Sequence, residues 1–307
     1  MSRIGVLIAL LVSTSGAWSH EAKNLDDLLS GWGIDLAETE VTSQEVAPGL
    51  HALFGAGGNV VVSIGEQGVL MVDSQFPELV PRLQAKVREL GGGGIDFVIN
   101  THWHFDHADG NPALGRDGSW MISHLNSRRM MLNAYPIDLV SVLYDQPPYP
   151  QEGLPVLTYD ERMQMFFNGE RIDLMHFSAA HTTGDTAVIF RGSNVVHMGD
   201  VFNASYPFID VGNGGDLDGM IRFIGATLAE LNSESIVVPG HGPVLGYADM
   251  QDFLDMLKTT RARLATLIDQ GYSLQQVKDA KPTEAFDDRY GNPALYVDRA
   301  YHSLARQ

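Results

Sequence analysis

The sequence predicts an α/β fold of four layers, a sheet-on-sheet sandwich with helices on both outer faces. Three observations point there. Apolar strand-like runs bounded by glycine recur in two blocks, residues 51–123 and 163–238. Helix-patterned segments interrupt and follow each block, so β-rich, α, β, α occurs twice. No low-complexity linker separates the two halves, so residues 20–307 are expected to form one domain.

Taken in order, residues 20–47 are polar and acidic and look like a lead-in. H-A-L-F-G, N-V-V-V-S-I-G and G-V-L-M-V-D then read as three strands between 51 and 73. Pro77 to Leu90 carries Leu79, Val80, Leu83, Val87 and Leu90 at helical spacing and stops at the glycines 91–94. Ile95 to Asn100 reads as a short buried strand and Ser119 to Ser123 as another, with a helix over Leu125 to Asn133. Residues 135–155 hold five prolines and three tyrosines and read as a long loop or lid. Met163–Phe167 and Arg171–Phe177 flank Asn168-Gly169, the hairpin turn signal. Strands at Thr186–Phe190 and Asn194–Met198, a helix at Leu217–Leu231, a strand at Ser235–Val238 and a helix at Asp249–Gln270 complete the second half.

The N-terminus reads as separable. Met1-Ser2-Arg3 is a short positive start, Ile4 to Val12 is apolar, and small residues follow up to Ser19. That is the pattern of a cleaved export signal over residues 1–19, which implies a periplasmic or secreted protein. No other apolar run reaches 18 residues, so no membrane span is expected. The net charge of −18 opposes phosphate backbones and disfavours nucleic acid as a partner. With no cysteine, a metal site would have to be built from His, Asp and Glu.

Residues 101–107 read T-H-W-H-F-D-H, three of the 11 histidines in six positions. A lone histidine is more often a satisfied core residue, but such a cluster is not. Imidazole and carboxylate suit Zn²⁺, Fe or Mn. His102 and His104 lie two apart and face one side of an extended segment. Asp106 and His107 follow after the chain turns, so one loop can serve two cations. Further polar residues end apolar strands beside glycine: His181 in H-T-T-G-D, Asp200 in H-M-G-D and His241 in P-G-H-G. Asp185 reads as a brace for nearby amides, and His197 as a core residue.

H-x-H-x-D-H, H-T-x-G-D, the G-D strand end and G-H-G together resemble the metallo-β-lactamase-fold hydrolase superfamily, from about residue 50 to 245. The resemblance implies the αββα sandwich and two metal sites. His102, His104 and His181 would hold the first metal, Asp106, His107 and His241 the second, and Asp200 would bridge them. Many β-lactamases carry Cys or Ser at the bridging position. Aspartate there is similar to hydroxyacylglutathione hydrolases, lactonases and phosphodiesterases. About 60 residues after Gly242 are few for a glutathione-binding domain.

The expected activity is a two-zinc hydrolase of a small-molecule ester, lactone or β-lactam, with Asp106 orienting the attacking water and moving its proton. Two cations about 4 Å apart would make a shared water acidic at neutral pH. A phosphodiesterase with the same ligands is one alternative. A one-iron persulfide-dioxygenase-like enzyme using His102, His104 and His181 is another. Trp103 and Phe105 are expected to pack inward. Phe202, Tyr206 and Phe208, with Tyr135, Tyr144 and Tyr149, are candidates to line an apolar pocket. The glycines 55–58 could form a hairpin tip that flaps over substrate.

Overall fold

The structure, a computed structural model, describes residues 22–306. The export signal expected over residues 1–19 lies outside them.

Strand β1 (Ala22–Lys23) leads into helix α1 (Leu25–Gly31), capped by Asn24 accepting from the Asp27 amide. Next, β2 (Thr42–Ala47), β3 (Leu50–Phe54), β4 (Val60–Gly65) and β5 (Gly68–Val72) form an antiparallel meander. Helix α2 (Val80–Glu89) crosses over to β6 (Ile95–Ile99), parallel to β5. The short helices α3 (Phe105–Ala108) and α4 (Asn111–Arg116) lead to β7 (Trp120–His124), parallel to β6. After α5 (Leu125–Met131), β8 (Tyr135–Asp138) and β9 (Leu143–Gln146), β10 (Leu157–Tyr159) returns to the sheet edge. The seven strands run β10-β7-β6-β5-β4-β3-β2.

The second half holds β11 (Arg162–Phe167), β12 (Glu170–Met175), β13 (Ala187–Phe190), β14 (Val195–His197), helix α6 (Leu217–Ala229), β15 (Ile236–Val238) and β16 (Leu245–Gly246) in one six-stranded sheet with α6 outside it. Helices α7 (Tyr247–Asp269), α8 (Leu274–Asp279), α9 (Asp287–Tyr290) and α10 (Ala294–Ala305) close the chain. Asn168 and Gly169 both take positive φ, 53° and 77°, as the expected Asn-Gly turn between β11 and β12 requires.

Strand alternation builds the layers. Ala52, Val61, Leu70, Val72, Ile99 and Ile122 of the first sheet face Ile172, Leu174, Val188, Phe190, Val195 and Val238 of the second. The residues between them point outward: Val60, Val62, Val69 and Met71 pack under Val80, Leu83 and Val87 of α2. Ala187, Ile189, Val196 and Val237 pack under α6 and α7. Two sheets with helices on both outer faces make the expected αββα sandwich.

Two local expectations are corrected. The lead-in 20–47 contains α1 and β2; Thr42 to Glu45 are exposed on the sheet edge, so β2 shows no apolar alternation. Residues 135–155 are not a loose lid, because β8 and β9 pair with each other and β9 with β1, burying Ile137, Tyr144 and Gln146. Pro136 sits in β8, at the edge of that sheet, where a missing N–H costs no ladder bond. The C-terminal residues past Gln270 are helical, and α10 packs on α6, α7 and α8.

Candidate metal centre

All seven candidate ligands meet at one rim of the sandwich, where strands of both sheets end. The backbone after β6 is held by Asp73 at the end of β5. Its Oδ1 accepts from the Thr101 amide at 2.8 Å, and its Oδ2 accepts from Thr101 Oγ1 at 2.7 Å and His107 Nδ1 at 2.8 Å. Asp73 is fully buried with φ 63°, a left-handed conformation that a non-glycine residue keeps only when its surroundings fix it.

The outer partners set the tautomers of the first three rings. Thr101 Oγ1 gives its proton to Asp73, so it accepts from His102 Nδ1 at 3.0 Å, leaving a bare Nε2. That Nε2 is buried and has no hydrogen-bond partner among the described residues. His181 Nδ1 donates to the Phe208 carbonyl at 2.8 Å and also presents Nε2 inward. His104 Nε2 faces Asp210 Oδ2 at 2.9 Å, so its Nδ1 points inward. His104 Nδ1 and His181 Nε2 then lie 2.9 Å apart as two lone pairs. Burial and the neighbouring rings push His102 well below the ordinary histidine range, and burial and His104 lower His181. Three imidazole nitrogens aimed at one point suit a cation.

The other group is richer in carboxylate and more open. Asp106 Oδ2, on the first turn of α3, lies 3.1 Å from His241 Nε2 and 3.6 Å from His107 Nε2. The His241 side chain is 40% exposed and that of Asp106 20%, against 1% for His181, so water enters on this side. Asp200 stands between the groups. Its Oδ1 is 3.1 Å from His107 Nε2 and 3.5 Å from His241 Nε2, while its Oδ2 is 3.8 Å from His181 Nε2. Burial works against charge on His107 and His241, yet the carboxylates win. Asp106, Asp200 and Asp73 hold His107 well above its ordinary value, and Asp200 and Asp106 raise His241 to about 10. Asp200 in turn is held well below the usual carboxylate range by His241 and His107, despite its burial. This half of the cluster favours positive charge. His102, His104 and His181 could hold one metal, and Asp106, His107 and His241 another, each set of donor atoms lying within 4.8 Å.

Backbone packs hard against these side chains. A Cβ on Gly58 would come 2.0 Å from the His107 ring, and one on Gly240 would come 2.0 Å from Asp200 Oδ1. The glycines at 55–58 are therefore not a free flap: Gly58 donates to the Asp106 carbonyl and accepts from Gln75 Nε2. Asn59 Nδ2 donates to the carbonyls of Pro239 and Gly242, fixing the turn that carries His241. Asp185 accepts from the amides of Ala180 and Thr182 and from Thr182 Oγ1, bracing the His181 loop. His197 is buried, with Nε2 on the Asn59 carbonyl.

The metallo-β-lactamase superfamily model matches residues 54–241, which span the whole cluster. The chain belongs to the metallo-β-lactamase superfamily. Members of that superfamily are generally metal-dependent hydrolases, and this chain is an enzyme of that class. Among solved structures, it is similar to a metallo-β-lactamase from Pontibacter korlensis, with TM-score 0.57 and 15% identity over 71% of this chain and 99% of that one. DIM-1 metallo-β-lactamase gives 0.56 and 17%, over 72% of this chain and 97% of that one. The stereoselective inverting sec-alkylsulfatase Pisa1 from Pseudomonas gives 0.65 and 14%, over 85% of this chain but 50% of that longer one. These likenesses concern the fold. No curated protein matches the sequence.

A cavity of about 310 Å³ opens beside His104, Asp106, His181, Asp200 and His241 of this superfamily site. Of the candidate lining aromatics, Phe208 is there, and Phe105, although buried, also reaches it. Trp103 packs inward against Tyr135. Phe202 and Tyr206 are corrected: Phe202 packs on Phe253, and Tyr206 stacks on Tyr296 with its hydroxyl on Asp287. The loop tyrosines buttress the histidine turn from behind, Tyr144 against Phe105 and Tyr149 through bonds to the Trp103 carbonyl and Asp109. Sequence reasoning missed Asp73 and Asp210. Asp73 ends an apolar strand as the ligands do; Asp210 carries no local signal.

Proposed function

We propose that this enzyme is a dinuclear zinc hydrolase of an ester or amide bond in a small molecule, lactone- or β-lactam-like. The observation that carries the reading is Asp200, whose carboxylate stands between the two histidine groups, Oδ1 3.1 Å from His107 Nε2 and Oδ2 3.8 Å from His181 Nε2. In this reading His102, His104 and His181 hold one zinc and Asp106, His107 and His241 the other; iron or manganese would fit the same donors. Bound there, the two cations supply a water that is acidic at neutral pH and a Lewis acid for the carbonyl oxygen.

The chain's own residues do the rest. Asp106 faces the cavity and sits on the open side, where its carboxylate would orient the water and accept its proton. The water oxygen joins the acyl carbon, the C–O or C–N bond breaks, and the proton passes from Asp106 to the leaving group. Asp73, Thr101 and Asp210 keep the imidazole tautomers fixed throughout. Residues 1–19 support an exported enzyme acting in the periplasm or outside the cell, and no helix among the described residues is long and apolar enough to cross a membrane.

A phosphodiester would call for a basic wall, and among the described residues no lysine or arginine lines the cavity. A one-iron oxidase would leave Asp106, His107 and His241 without a role. The test is metal analysis joined to a substrate panel of nitrocefin, a homoserine lactone, a thioester and a nitrophenyl phosphodiester. Two zincs with lactone or lactam turnover support the reading. One iron, or phosphodiester turnover alone, sinks it.

A further inference from the structure

The cavity beside the cluster narrows the choice of substrate. Apart from the cluster residues its wall is apolar and assembled from distant segments: Trp32 and Ile34 after α1, Ile137 and Leu139 at β8, Phe208 beside His104 and His181, and Leu295 on α10. Trp32, Ile34 and Leu295 lie outside residues 54–241, so this chain's flanking segments complete the wall. Among the described residues no lysine or arginine lines the cavity. Arg299, one turn along α10 from Leu295, spends its guanidinium on Asp138 and Asp298. The charged groups that do face the space are the acids Asp106 and Asp200 and the cluster histidines. A substrate tail bearing carboxylate, sulfate or phosphate laid along the apolar wall would meet no lysine or arginine and would lose its hydration. Trp32 is 51% exposed at the mouth, an apolar surface that an entering chain would cover.

We infer that this cavity takes the uncharged, apolar chain of an ester or lactone substrate, so that the enzyme prefers neutral medium-chain acyl compounds to anionic ones. The inference rests on the hydrolase reading of the adjacent cluster. Its test separates the two.

The zinc-loaded full chain is assayed with p-nitrophenyl esters from acetate to decanoate, and with the suberate mono-ester whose tail ends in carboxylate. kcat/KM is expected to rise about threefold to fourfold per methylene until the cavity is full. The charged tail should lose at least tenfold against the octanoate ester. In parallel, primary alcohols from butanol to octanol are titrated calorimetrically, a measurement that needs no turnover. Their affinity should climb with the same slope and flatten in Leu295→Arg, with Leu139→Asn as a second variant should the first fail to fold. A flat alcohol series, or a suberate mono-ester turned over as well as octanoate, overturns the inference. Alcohols that bind with the slope while no ester is hydrolysed uphold the cavity and overturn the hydrolase reading instead.

Discussion

In the histidine cluster the rings of His102, His104, His107 and His181 are each held by a partner on the far side, whether Thr101, Asp210, Asp73 or the Phe208 carbonyl. In the cavity wall next to it, Trp32, Ile137 and Leu295 come from segments far apart in the chain and contribute apolar surface to the cavity. The first region is over-determined, because each of these rings has an outer partner that fixes its orientation. The second is set by the packing of segments far apart in the chain. A constrained centre beside a loosely specified wall is how one chemistry can serve many substrates.

The contrast can be broken from its constrained side first. Asp200→Ala should remove the link between the two histidine groups and lower ester hydrolysis by about 1000-fold or more, several kcal/mol of transition-state stabilisation. Activity within tenfold of wild type would deny Asp200 its bridging place. Asp210→Ala frees the His104 ring and should weaken zinc binding about 10- to 100-fold, read by competition with a chelator. Unchanged affinity would mean that the outer partners do not fix the ligands.

The wall is sharpened through Arg299, whose Nη1 lies 2.9 Å from Asp138 Oδ2 and so pins α10 to β8. Arg299→Met should cost about 1–3 kcal/mol in a urea titration at pH 7, because the buried Asp298 loses a partner. Burial would raise Asp298, but hydrogen bonds from Lys278 and Arg299 overcome it and hold the folded value low. Stability from that depression is present above the unfolded value near 3.9 and is lost as pH falls through the lower folded one. The gap between variant and wild type should therefore close below about pH 4; a gap independent of pH would rule out the ion pair as its source. Last comes Phe166, 72% exposed on β11 and away from both regions. Phe166→Ser should shift stability by no more than about 0.5 kcal/mol and leave kinetics alone; a larger change would show that the activity depends on more than the rim.

The same contrast explains what could be read from the sequence. Four candidate ligands fall within His102–His107, Asp200 and His241 closely follow apolar strands beside glycine, and His181 sits in the H-T-T-G-D loop, so local patterning exposes them. The four layers are legible because β4, β5, β13 and β14 alternate faces, both buried. Asp210 is different: its meaning depends on His104, 106 residues earlier, and no local pattern encodes that distance. Phe202 and Tyr206 lie close to Asp200 in sequence, but the chain turns there and the helical layer claims both rings. Residues 135–155 looked like a loop because prolines mask strand character, although β8 is an edge strand that tolerates one. Trp32 and Leu295 could not have been paired with the site at all without the tertiary fold.

Zinc per chain, measured on the purified loaded protein and on His241→Ala, bears most directly on the two-metal centre. Two zincs in the wild type and one in the variant are expected, since His102, His104 and His181 remain intact. A single metal in both proteins, or none in either, would contradict it.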